Sequence, residues 1–414
     1  MPAQTYTGDF EIVNLLLTTV DGQQHNLRFV MVEINVYEDI WSNQITCDLL
    51  VNDATNMIQN LPIFGFETLL LEFRTPNKQL WSKTLRLVRI TDRKLMRERQ
   101  AGYILHFVTP EAVDNMKVRV SKSYKGKLIS DIVDDLHNNW LGGGPIDIEQ
   151  TKFQHHIIIP KLWPCHAINW LCTHANPAAF NGANYLYYQD KDMFRFVSME
   201  SRLIQAPSQI YIFQVANIRL DTIGHKAEDF ATNTVAAQMY TFDHYSDILE
   251  NMQAGMYGNE LYTHSHSRKI WRRYTFDYPD SFDDYKHLYQ SNYLFNKKFS
   301  DDKPDSKLKL HSTGHDQDGY PFLPEKWLPP RISQLQQLQN IKVSITIPGD
   351  SERTVGQVVE FRFPSPEPPV NNQQIDDKYY SGKFLVQSVR HKIDANKYMT
   401  VMTLVKDSTR VHFP

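Results

Sequence analysis

Leu71-Glu72-Phe73-Arg74-Thr75-Pro76, near the start of the chain, returns near its end as Val359-Glu360-Phe361-Arg362-Phe363-Pro364. In both copies apolar side chains alternate with others, the period-two pattern of a strand with one buried face. Upstream, Ile45-Thr46-Cys47-Asp48-Leu49-Leu50-Val51-Asn52-Asp53 answers to Ile341-Lys342-Val343-Ser344-Ile345-Thr346-Ile347-Pro348-Gly349-Asp350. Downstream, runs 85–90 and 103–108, joined by a charged loop, answer to runs 384–389 and 399–405, joined by residues 390–398. Strand-like runs thus recur in one order. One supersecondary unit has been duplicated, and the two copies are expected to fold alike.

The rest of the chain is read around this repeat. Residues 10–20 alternate and end at Asp21-Gly22, a strong hairpin signal, after which 27–37 rises as another strand. A short helix is expected over 53–60. From 113 the period changes: Leu128, Ile129, Ile132, Val133 and Leu136 form a helical stripe with Asp131, Asp134 and Asp135 outward, ended by Gly142-Gly143-Gly144. A second helix follows Pro164. Strands 185–188 and 193–197 then turn at Asp190-Lys191-Asp192.

The fold class expected is α+β, predominantly β. Residues 1–112 form a first β domain, 113–205 a small α/β domain, and 206–245 with 335–414 a second, discontinuous β domain. Between its two parts lies an insertion, 246–334. Its first part is dense in aromatics, suiting either an interface or a small core of its own. Its end is rich in turn residues, and Pro321, Pro324, Pro329 and Pro330 are expected to hold it extended as a linker.

Composition narrows the function. The chain has 414 residues, 41% apolar and 22% charged, enough for about two to four ordinary globular domains. A formal net charge of -3 supplies no general attraction to nucleic acid or an anionic membrane. Cys165 and Cys172 lie on one predicted helix, roughly 10 Å apart along its axis and out of disulfide reach. Free thiols in a reducing compartment are expected. The start lacks the pattern of a signal peptide, and no apolar run approaches the roughly 20 residues of a membrane span, so a soluble chain made in the cytoplasm is expected.

No catalytic motif stands out. Nucleophile-elbow, phosphate-loop and zinc-protease patterns are missing, and the triple glycine lacks a following helix. His264-Ser265-His266 is a weak start for a metal site because no cysteine or carboxylate has helpful spacing. Cys165 and Cys172 read as small buried hydrophobes. Asp277, Asp280, Asp283 and Asp284 read as a solvated acidic turn, since they lack the calcium-loop pattern. Two basic runs remain. One surrounds Trp271 with Arg268, Lys269, Arg272 and Arg273; the other is Arg93, Lys94, Arg97 and Arg99 in the first repeat's hairpin loop, where such a tip meets a carboxylate on a neighbour or keeps an edge soluble.

Further stretches are Glu38-Asp39-Ile40-Trp41-Ser42-Asn43, Asn60-Leu61-Pro62-Ile63-Phe64-Gly65, Tyr124-Lys125-Gly126-Lys127-Leu128-Ile129-Ser130-Asp131-Ile132, Ile159-Pro160-Lys161-Leu162-Trp163-Pro164 and Tyr380-Ser381-Gly382-Lys383-Phe384-Leu385-Val386. With the β, α/β, interrupted-β order, the chain resembles the baseplate hub proteins of contractile-tailed bacteriophages, which have relatives in the spike base of type VI secretion systems. The likeness spans nearly the whole chain and is weakest over 246–334.

The resemblance implies two tube-like antiparallel β-barrel domains per chain and a homotrimer presenting six units in a nearly sixfold ring. A hexameric tail tube would stack on one face and a trimeric central spike would dock on the other, with other baseplate proteins around them. DNA would pass through the lumen without specific binding. The implied location is the virion tail baseplate, assembled in the host cytoplasm, with no enzyme activity, cofactor or metal. Ring or interface candidates are Arg93, Lys94, Arg97, Arg99, Trp271, Arg272, Tyr274, Arg390 and His391. Deleting 246–330 would be expected to spare the ring. The rival readings are a tail-associated cell-wall hydrolase and a receptor- or glycan-binding tail protein.

Overall fold

Period-two alternation becomes strand in both copies of the repeat. The computed structural model of the chain describes residues 8–411 apart from 55–56, 58–62, 77, 98–99, 214–234, 246, 266–268, 291–307, 313–322, 366 and 368–375. The fold is predominantly β. The first unit holds β1 Glu11–Thr18, β2 Gln24–Asn26, β3 Met31–Asp39, β4 Thr46–Asp53, β5 Thr68–Arg74, β6 Trp81–Arg97 and β7 Gln100–Val108. Asp21-Gly22 turns β1 into β2, with Gly22 at a φ of 82°, a conformation that costs a side chain but not glycine. The order across the sheet is β2-β1-β5-β6-β7-β4-β3, every pair antiparallel. The short helix expected at 53–60 falls largely outside the described residues.

A mixed segment follows: helix α1 Pro110–Lys117, β8 Val120–Leu128, helix α2 Ile129–Asp135, β9 Ile146–Ile148, β10 Gln154–Leu162, helix α3 Pro164–Cys172, β11 Tyr185–Gln189 and β12 Phe194–Ser198. Ile129, Ile132, Val133 and Leu136 pack with Ile168, Leu171, Tyr185 and Phe196 into a core of their own. Leu128 ends a strand instead of opening the helix.

The second unit comprises β13 Ile210–Phe213, β14 Ala236–Ala237 and β15 Met239–Tyr245. After a separate inserted sheet of β16 Gly258–Ser265, β17 Ile270–Asp277 and β18 Leu308–Ser312, it resumes with β19 Ile341–Pro348, β20 Val358–Arg362, β21 Gly382–Asp394 and β22 Tyr398–Lys406. Its order, β13-β20-β21-β22-β19-β15, repeats β1-β5-β6-β7-β4-β3 position for position. Even the irregularity recurs. The register of β6 against β7 slips between Leu87 and Arg89, and that of β21 against β22 between Val386 and Ser388. The copies differ at their outer strands: β13 runs parallel to β20, whereas β1 runs antiparallel to β5.

The stretch read as an extended linker contains a helix, α4 Pro324–Leu338. Pro324 fits its first position, where no N–H is needed. Pro329 and Pro330 lie inside the helix and are buried there with Trp327, Ser333, Gln337 and Leu338. The carbonyl of Lys326, which a residue other than proline at 330 would bond, accepts instead from the Asn176 side chain at 3.2 Å. Tertiary packing thus overrides the local cost of two prolines.

Among the described residues, several of the insertion's aromatics serve its own small core and its anchorage. Tyr278, Phe282 and Tyr285 form a buried cluster, and the Tyr278 hydroxyl bonds Gln337. His287 Nδ1 lies 2.8 Å from the Asp407 carboxylate, and the Tyr289 backbone donates to the Ser408 hydroxyl at 2.8 Å. Removing 246–330 would strip these partners from buried Asp407, Ser408 and Gln337. The insertion is thus tied to the second unit by buried contacts as well as offering an outer surface.

Candidate functional site: the seam between the two β units

The two units are joined along one strand pair, β21 with β3, in the register Ser388 opposite Asp39 through Asp394 opposite Glu33. The pairing lets each unit lend side chains to the other. Ile393 and Tyr398 pack into the core of the first unit, and Ile40 into that of the second. Period two decides which side chains enter. Ile34, Val36 and Glu38 share the inner face of one strand, with buried Ile40 just past its end, and Val389, His391 and Ile393 that of the other.

A carboxyl therefore sits in the core. Glu38 is 1% exposed; its Oε1 accepts from the Trp81 indole N–H at 3.1 Å, and its Oε2 accepts from the Thr354 hydroxyl. Burial raises its pKa to about 7, against the lowering pull of those two donors. His391 Nε2 faces it at 4.0 Å, and His391 Nδ1 lies 2.8 Å from the Tyr398 hydroxyl. Burial lowers the His391 pKa to about 3, so the ring is neutral at ordinary pH. Phe73 stacks on Trp81 with centroids 4.9 Å apart and meets Tyr398 edge-on at 5.6 Å.

The rim is ionic. Lys392 Nζ lies 3.1 Å and an Arg390 nitrogen 3.7 Å from Glu33, while Arg390 Nε donates to Asn35 at 2.8 Å. Partial burial works against the Glu33 charge, but Asn35 and the two cations outweigh it and hold its pKa below the usual value. A second contact closes the seam. Thr75 N–H donates to the Ser351 hydroxyl at 3.2 Å, Ser351 N–H donates to the Thr75 hydroxyl at 3.1 Å, and Lys78 pairs with Glu352 at 2.9 Å.

Among the described residues, Arg390 and His391 are the interface candidates that meet here. His391 is fully buried, so within one chain it belongs to the joint and not to an outer surface. Arg93 and Lys94 are exposed on β6. The backbone of Arg97 also lies in β6, but its side chain, like the whole of Arg99, falls outside the described residues. Trp271 and Arg272 are exposed on β17 and Tyr274 is half-buried; the Trp271 ring stacks on His264 at 4.3 Å. Glu38, Trp81, Thr354 and Tyr398 were not singled out from the sequence. Strand parity could have found Glu38, a carboxylate in phase with Ile34, Val36 and Ile40.

All three cysteines are free and buried, and burial pushes the Cys165 and Cys172 thiols up to about 12, which suppresses the nucleophilic thiolate. Among the described residues, no group of three or more His, Cys, Asp and Glu side chains is placed to hold a metal ion. No described helix is long and apolar enough to cross a membrane.

No family model matches the chain. It is 22% identical over 399 residues to the probable baseplate hub protein gp334 of Vibrio phage KVP40, covering 92% of this chain and 90% of that protein. Two solved structures share its fold. The tail protein from Neisseria meningitidis MC58 aligns with a TM-score of 0.55 at 10% identity, covering 95% of this chain and 96% of the other. The 43 kDa tail protein of prophage MuSo2 from Shewanella oneidensis aligns with a TM-score of 0.54 at 9% identity, covering 96% and 98%. The resemblance read from the sequence and the match to a baseplate hub protein agree.

Proposed function

Taking as premise this near full-length similarity to a phage baseplate hub protein, we propose that the chain is a structural hub of a contractile-tail baseplate. Three chains assemble as a trimer. Each contributes two tube-like β-barrel units, so six similar units stand in a ring of near-sixfold symmetry. A hexameric tail tube stacks on one face and a trimeric central spike docks on the other, while DNA passes through the lumen without specific contact. The hub acts without catalysis or cofactor, and it resides in the virion tail after assembly in the host cytoplasm.

The observation that supports this reading best is the repeated strand order, including the repeated register slip, within a single chain. Duplication lets a threefold assembly offer nearly sixfold binding surfaces, which a symmetric partner of either order can match. In this reading the hairpins β6/β7 and β21/β22 form the ring wall. The exposed face of β17, with Trp271 and Arg272, meets the spike or a baseplate neighbour.

Light scattering on the purified chain, alone and mixed with the candidate spike, tests the proposal. A threefold mass in either condition is expected. A strict monomer in both, with a spike shown to be folded and trimeric, overturns it.

A further inference from the structure

The seam within one chain has a counterpart whose other side is empty among the described residues. In the second unit, β21 runs past the end of β20. The Val386 N–H donates to the Gln357 carbonyl at 2.8 Å, and from Gln387 onward the same edge pairs with β3. In the first unit, β6 runs past the end of β5 in the same way. The Leu87 N–H donates to the Glu67 carbonyl at 2.9 Å, but among the described residues no strand lies against that edge beyond it. The strand that matches β3 in the second unit is β15, and among the described residues it pairs only with β19. One chain thus carries one satisfied joint and the two halves of another.

We infer that the edge of β6 beyond Leu87 binds β15 of a second copy of this chain, antiparallel, repeating the β21 to β3 joint between molecules. This rests on the reading of the chain as a self-assembling hub and specifies the surface that does it. The repeat supplies the register. Counting from the shared slip and through the neighbouring strands, Lys94 and Leu95 take the places of Lys392 and Ile393; β6 carries one extra residue on the way, at a bulge where Asp92 has a φ of 54°. Thr241 and Tyr240 take the places of Asn35 and Ile34. Because Lys392 faces Asn35 and Ile393 faces Ile34, Lys94 faces Thr241 and Leu95 faces Tyr240 of the other copy.

Exposure favours this over an ordinary capped edge. Charges and bulges do protect free edges from misassociation, and β6 has both. Yet Leu95 is 76% exposed where its counterpart Ile393 is fully buried, and on the other half Met239 is 63% exposed. The charges are also complementary, with Arg89, Arg93 and Lys94 exposed on one edge and Asp243, Asp247 and Glu250 exposed on or just after the other strand. The joint is head to tail, so it propagates until a ring closes.

Cross-linking on the full-length chain tests it. Lys94→Cys and Thr241→Cys are both at exposed positions, and the three native thiols are buried. Under mild oxidation the double variant is expected to give a ladder of linked chains. A mixture of the two single variants should give dimers only, and Lys94→Cys by itself none. Leu95→Asp should weaken self-association at least tenfold, while Met116→Asp, at a 63% exposed position on α1, should not. Oligomers that form without the 94-to-241 link, or that survive Leu95→Asp unchanged, overturn the inference and leave the hub reading standing. The link together with open, non-closing chains upholds the inference and overturns the closed ring. A chain that stays monomeric and unlinked overturns the inference, and the mass with the spike then judges the hub reading separately.

Discussion

The Glu38 carboxylate and the His391 imidazole stand 4.0 Å apart on paired strands contributed by opposite ends of the sequence, both out of contact with water. Neither gains from being charged there. The native state holds the Glu38 proton up to about pH 7, whereas the unfolded chain releases it near the ordinary glutamate value, so between about pH 4.5 and 7 the native state binds more protons. Stability from this group is present at low pH and is lost as pH rises through 7. Glu38→Gln keeps an acceptor for Trp81 and removes the titration. The variant should melt a few degrees higher relative to wild type at pH 8 than at pH 5. Equal differences at the two pH values in thermal melts would show that Glu38 is not the seam's titrating group.

Lys406 gives the opposite slope. Its ammonium is buried and bonds the Ser381 carbonyl at 3.1 Å, and burial lowers its pKa to about 7 despite the raising effect of Asp407. The unfolded chain binds this proton up to about pH 10.5, so between there and 7 the unfolded state holds more protons and native stability falls as pH falls. Lys406→Met should flatten the rise in stability between pH 7 and 9.5. Denaturant midpoints at the two pH values measure it.

His287 and Asp407 tie the insertion to the last strand. Burial opposes a charge on His287, but the Asp407 hydrogen bond and field outweigh it and raise its pKa. Substituting His287→Leu leaves a buried carboxylate short of a partner, at a cost of about 3 kcal/mol. The Leu288 N–H still donates to Asp407 at 3.2 Å, which keeps the loss at the lower end of that range. Urea unfolding gives the magnitude. Limited proteolysis should show earlier cleavage within 246–330 than in wild type.

Gly349 lies against the seam tyrosine. A Cβ at this position would stand 2.0 Å from the Tyr398 ring, which is fully buried and cannot swing into solvent. Gly349→Ala should therefore destabilise the chain by about 1–3 kcal/mol. Gly22→Ala is the comparison for backbone effects: Gly22 has no atom within 4 Å of a Cβ but has a positive φ, so its cost is conformational and smaller, about 1 kcal/mol. Equal losses in chemical denaturation would remove the steric argument at 349.

Much of the architecture was legible because strand patterns are local. The alignment of residues 45–53 with 341–350 sets Cys47 against Val343, and the observed pairings, Cys47 with Phe107 and Val343 with Leu404, keep that match. The helical stripe from Ile129 to Leu136 was legible for the same reason. Helix α4 was not. Proline is a strong local signal against helix, and only the burial of Trp327, Pro329 and Pro330, with Asn176 taking a freed carbonyl, reverses it.

By itself, then, the sequence determined that this protein contains one β unit twice, in one strand order, because alternation and turn chemistry act over a few residues at a time. Only the tertiary structure decided how the copies meet. The pairing of β3 with β21 depends on where β20 ends. The roles of Glu38, Trp81, Thr354, His391 and Tyr398 depend on bringing residues from both ends of the chain into one water-free core. Neither condition is written in any single stretch, since an edge and a desolvated cluster exist only once distant strands have been placed side by side.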